Sequence, residues 1–125
     1  MKRDMSLVRD ILLAIEASDS DPDDTIELTL EGRSHEELSY HVMLMHEAGL
    51  IVAIDFSSFD GHAWTPQRLT WAGAEFLDSV RDPEVWRRTK AGAAKVGGAG
   101  FNLVVELAKG YGKQLVQERL GLAVG

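Results

Sequence analysis

Apolar positions change period repeatedly along this chain of 125 residues, and each change marks an element. Leu7, Ile11, Leu12 and Ile15 fall on one helical stripe, which predicts a helix over residues 4–17 with Asp4 as its N-cap. In TIELTLEG, residues 25–32, Ile26, Leu28 and Leu30 alternate with Thr25, Glu27, Thr29 and Glu31. That pattern predicts a half-buried strand ended by Gly32. Ser34 with Glu37 three residues on forms a capping box, so a helix is predicted to about Ala48, with Gly49 as its stop. LIVAIDF, residues 50–56, reads as a strand and SSFDG as a turn. HAWTPQRLT returns as a second strand in which Pro66 signals an edge or a bulge.

From Thr70 the period becomes helical again, with Trp71, Ala74, Phe76, Leu77 and Val80 expected to face inward. Pro83 opens a further helix, PEVWRRTKAGAAKV. VGGAG, residues 96–100, is expected to act as a hinge. A last helix over residues 101–120 carries an apolar stripe of Val104, Leu107, Ala108, Tyr111 and Leu115. Gly110 and Gly112 each weaken it by roughly 1 kcal/mol relative to Ala. The predicted class is α+β: a winged-helix-like core ordered helix-strand-helix-strand-strand-helix, with a C-terminal helical extension. The core is assigned to residues 1–82 and the extension to 83–125, with a glycine-rich hinge at 97–100.

Charge sharpens this division. The chain carries a formal net charge of −7. Residues 1–80 hold 5 Lys/Arg against 16 Asp/Glu, net −11, and residues 81–125 hold 8 against 4, net +4. The acidic part disfavours non-specific grip on nucleic acid or anionic lipid. With no cysteine, disulfides and thiolate metal sites are absent. No apolar run of about 18 residues suggests a membrane span, and MKRDMSLVRD does not read as a signal peptide, so a cytoplasmic protein is expected.

The chemical motifs fail one after another. Three of the four histidines lie in residues 34–51, where His-Glu occurs twice. The zinc signature His-Glu-x-x-His would need a second histidine one turn on, and Ser39 and Leu50 stand there instead. His41 and His46 point about 140° apart on a helix, and His35 and His46 lie about 16 Å apart along it. No pair within the helix chelates one ion; a metal set would have to draw on His62 from outside, and no metal is expected. SDSDPDD, residues 18–24, is dense in carboxylates but lacks the calcium-loop pattern. Thr25 interrupts the alternation, Asp24 takes the glycine place and Leu30 the glutamate place. GAAKVGGA has Gly98 and Ala99 where a phosphate loop needs Lys and Ser/Thr. No cofactor site and no catalytic constellation emerge, so the expectation is a protein that is not an enzyme.

The turn Glu47-Ala48-Gly49-Leu50-Ile51 resembles the one by which many winged-helix regulators pass from recognition helix to wing. Leu69-Thr70-Trp71-Ala72-Gly73 followed by Phe76-Leu77 resembles the usual exit. More specifically, Met1-Lys2-Arg3-Asp4-Met5 with Leu7, Arg9, Ile11 and Leu12 resembles the opening of a bacterial and phage family known as domain of unknown function 2513. Tyr40-His41, Ala48-Gly49-Leu50-Ile51, Arg68 through Gly73, Phe76-Leu77-Asp78 and Val85-Trp86 resemble it too, over roughly residues 1–90. The resemblance implies a small cytosolic protein, often associated with prophages, and supplies no catalytic residues.

Two functions remain. The first is protein–protein interaction, including self-association as a homodimer, through Phe59 and Trp64 of the wing and Leu107, Tyr111 and Leu115 of the last helix. The alternative is a DNA-binding regulator using residues 34–48 and the wing 50–70, with Arg33, Ser39, His46 and Arg68 as nucleic-acid contacts. The expected outward face of residues 35–48, namely His35, Glu36, Ser39, Met43, His46 and Glu47, holds no Lys or Arg, which disfavours DNA.

Overall fold

The computed structural model describes residues 1–59, 61–97 and 100–121. The elements are α1 (Met5–Ala17), α2 (His35–Glu47), β1 (Ile51–Asp55), β2 (Trp64–Leu69), α3 (Trp71–Val80), α4 (Pro83–Lys95) and α5 (Phe101–Leu120). The chain is α+β: five helices with one two-stranded antiparallel sheet, winged-helix-like in its order, and a helical C-terminal extension. It divides into two compact units, residues 1–77 and 78–125. Of the hinge expected at 97–100, residues 98 and 99 lie outside the described residues.

In the first unit the helix starts follow the capping chemistry. The Asp4 carboxylate accepts from the N–H groups of Ser6 and Leu7, and Ser34 with Glu37 completes a reciprocal capping box. α2 ends at Gly49, whose φ of +78° suits a residue without Cβ, and Leu50 N–H closes back onto the Met45 carbonyl at 3.0 Å. α1 buries Leu7, Val8, Ile11, Leu12 and Ile15 against α2 and β2. α2 packs on α1, β1 and β2 together, so its buried arc is wide: Leu38, Ser39, His41, Val42 and Met45. Each fully buried aliphatic side chain contributes about 1.5–3 kcal/mol.

β1 and β2 pair as the hairpin pattern predicts, with a bulge between Val52 and Ala53 beside Pro66. The strand expected over residues 25–32 is not formed. Ile26, Leu28 and Leu30 are still half-buried and alternate with exposed neighbours, so the two faces are as the sequence pattern implies. One backbone bond joins the segment to the sheet, from Ile26 N–H to the Pro66 carbonyl at 2.8 Å. An antiparallel pair would return an N–H from residue 66, and proline has none. The ladder therefore stops after a single bond.

α3 corrects another expectation. Phe76, Leu77 and Val80 are buried, but Trp71 is 83% exposed. Gly73, two residues on, lies so close to the Leu50 carbonyl oxygen that a Cβ there would overlap it. Two residues turn a helix by about 200°, so the contact at Gly73 places Trp71 on the opposite side.

The second unit contains a helical hairpin. Arg119 near the end of α5 pairs with Asp82, the N-cap of α4, and Arg88 pairs with Glu118. The Tyr111 ring lies where a side chain on Gly92 would be. These three contacts set α5 antiparallel to α4. α4 buries Val85, Trp86 and Thr89, and α5 buries Val104, Ala108 and Leu115.

Candidate interaction site

The hairpin of β1 and β2 is closed by a reciprocal backbone pair between Ser58 and Gly61, at 2.9 and 3.1 Å. Just inside it, the Asp55 carboxylate accepts the Ser57 N–H at 2.8 Å and the Ser57 hydroxyl accepts the Ala63 N–H at 2.9 Å. Bonds from the Ser57 hydroxyl and amide hold the Asp55 carboxyl below its usual range. Phe59 at this tip is fully exposed to solvent, and Phe56 is 56% exposed. Neither ring serves the core.

Where the hairpin meets α2, polar groups interlock. The Ser39 hydroxyl accepts the Trp64 N–H at 2.8 Å and donates to His62 Nδ1, while His35 Nε2 donates to the His62 carbonyl at 3.2 Å. His46 Nδ1 accepts the Ala53 N–H at 3.3 Å, and its ring tilts against Trp64 with centroids 5.4 Å apart. Beside this cluster a groove of about 610 Å³ runs between residues 25–30 and the face formed by α2 and β2. Arg33, Ser39 and Trp64 all line it.

A serine bonded to a histidine invites comparison with a nucleophile and its base. Here the serine is 2% exposed and its oxygen is already held by the Trp64 N–H. The pair fastens the start of β2 to α2. No short motif announces it, because Ser39 and His62 are 23 residues apart. The helical pattern puts Ser39 on the outward face of α2, whereas the structure buries it.

The four candidate nucleic-acid contacts do not form one surface. Arg33 bonds Asp4 at 3.0 Å and Glu37 at 3.2 Å. These bonds, Glu37 first, push its guanidinium up, and its charge is matched by two carboxylates. Burial pushes the Asp4 carboxyl up, but bonds from Leu7 and Arg33 outweigh it and the net shift is downward. Ser39 is buried, His46 is engaged with Ala53 and Trp64, and exposed Arg68 donates to the Leu69 carbonyl.

The candidate interaction residues divide as well. Phe59 is exposed and Trp64 half-buried at the α2 junction. Leu107 and Tyr111 are half-buried, and Leu115 is buried within its own chain. The α5 stripe thus already has cover, whereas the sequence left open a partner chain as the cover. Among the described residues, no three His, Asp or Glu side chains gather where they could hold one metal ion. None of the described helices is long and apolar enough to cross a membrane.

The family model described as "Hypothetical protein (DUF2513)" matches residues 2–100. The chain belongs to this family. α1 through α4 lie within the matched span. An uncharacterized protein of Haemophilus influenzae is 39% identical over 90 residues, covering 72% of this chain and 76% of the relative. No solved structure matches.

Proposed function

We propose that this DUF2513 protein is a non-enzymatic cytoplasmic module that works by binding protein, a second copy of itself included, in a prophage-type setting. The observation that carries this reading is the wing: Phe59 stands fully in solvent next to the backbone pair of Ser58 and Gly61, and Phe56 is largely exposed. Exposed aromatic rings of this kind anchor interfaces when a partner desolvates them.

Winged-helix order favours the alternative, a DNA-binding regulator, and function follows the chemistry of the site rather than the fold. Of the cations beside the α2 face, Arg33 is neutralised by Asp4 and Glu37. DNA modules neutralise several phosphates with unspent Lys and Arg. Titrating labelled duplex DNA with the protein while salt is varied is the deciding experiment. The interaction reading expects no binding tighter than about 10⁻⁴ M near physiological salt. Tight binding that weakens steeply with salt would transfer the assignment to DNA.

A further inference from the structure

The helical hairpin carries an apolar groove of about 570 Å³, lined by Val85, Ala108, Leu115 and Val116 and edged by Lys109 and Lys113. The acids next to it are committed, Asp82 to Arg119 and Asp78 to Arg81. Lys109 and Lys113 are exposed and have no ionic partner among the described residues. Gly112 between them leaves open space above the helix, and nothing lies within 4 Å of where its Cβ would be. This is a slot for an apolar group with negative charge beside it.

The wing has the matching chemistry. Phe59 is fully exposed, Phe56 is largely exposed, and Asp55 stands at the end of β1 with its carboxyl held below its usual range by Ser57. The charges agree on the larger scale: residues 1–77 carry 5 Lys/Arg and 15 Asp/Glu, net −10, and residues 78–125 carry 8 and 5, net +3. We propose that the wing tip of one copy docks in the α4–α5 groove of a second copy, with Phe59 in the apolar slot and the Asp55 carboxylate facing Lys109 and Lys113. This deepens, and rests on, the reading that the protein binds its own kind. Each copy carries one wing and one groove, so the contact joins two different surfaces of the two chains. An aromatic ring buries roughly 150–250 Å², so each contact is small and the affinity falls in the micromolar range or weaker.

Sedimentation equilibrium from about 5 to 500 μM, a range that brackets such affinities, tests the docking on the full chain. The wild type is expected to shift from monomer to dimer, and the shift is expected to weaken with added salt. Phe59→Ser and the double variant Lys109→Glu/Lys113→Glu are expected to remain monomeric while keeping wild-type circular dichroism and thermal midpoint. Mixing these two variants regenerates one intact wing–groove contact, because one supplies the groove and the other the wing. Labelled F59S is therefore expected to bind the lysine variant more tightly than it binds itself. A dimer indifferent to both variants overturns the docking and leaves self-association standing. A wild type that stays monomeric to 500 μM overturns both, and the DNA titration decides separately whether the protein-binding reading survives. A mixture that fails to associate when the wild type does overturns the wing-to-groove pairing.

Discussion

His41 Nε2 accepts the backbone N–H of Asp4 at 2.9 Å, so a histidine of α2 fixes the residue that caps α1. The other ring nitrogen donates to the Glu37 carbonyl at 2.9 Å, which selects the tautomer with its proton on Nδ1. The ring is 1% exposed. Through it, the capping of one helix depends on the position of the other.

Replacing His41 with Leu keeps most of the volume and removes both bonds. The Asp4 N–H then has no acceptor in a part-buried place, which costs about 1–3 kcal/mol. Urea denaturation is the measurement. A variant as stable as the wild type would show that the bond carries no net weight.

Gly73 is expected to tolerate no side chain. A Cβ would meet the Leu50 carbonyl, which is backbone and cannot turn aside. That oxygen also accepts the Thr70 N–H, so moving it disturbs the exit from β2. Gly73→Ala should lower stability by roughly 1–3 kcal/mol, although alanine is the better helix former. Gly110→Ala is the control: α5 has open space there, and that variant should gain stability.

Ser39→Ala deprives the Trp64 N–H of its acceptor at the α2–β2 junction. The expected loss is about 1–3 kcal/mol. Hydrogen exchange at the Trp64 amide should quicken with it. His62→Ala is expected to cost less, because His62 lies on the exposed side of the bond. Equal losses for the two variants would argue against this division.

Acid should weaken the ion pairs that brace α4 and join it to α5. Bonds from Arg87 and Arg88 lower the Glu84 carboxyl to about 2 from an ordinary 4.5, and bonds from Arg119 and Val85 lower Asp82. A carboxylate lowered in the folded state adds stability above its unfolded pKa, and that stability is lost as pH falls through the folded value. The window for Glu84 therefore runs from about 4.5 down to about 2. Following the Glu84 carboxyl by NMR should give a midpoint well below that of a free glutamate, and Glu84→Gln should remove the matching part of the acid response.

The sequence by itself determined the helix starts and stops and the paired hairpin. Asp4, the Ser34–Glu37 box, Asp82 before Pro83, and Gly49 act on backbone groups within a few residues. Such chemistry is complete in a short stretch of chain, and a reader of the sequence can see all of it. The alternation in residues 25–30 likewise fixed which side chains are half-buried. It could not show that the N–H needed to extend the ladder belonged to Pro66, because that pairing joins segments 40 residues apart.

Tertiary structure decided the rest for the same reason. Ser39 faces inward because three elements pack on α2 where a single stripe suggested one face. Trp71 faces outward because Gly73 must approach Leu50. The stripe on α5 is apolar in any arrangement, and whether α4 or a partner chain would cover it depended on how the ion pairs of Asp82 and Arg88 close the hairpin. Exposure at Phe59 belongs with these: an aromatic residue in a turn can fold back or stand out, and here it stands out from the hairpin.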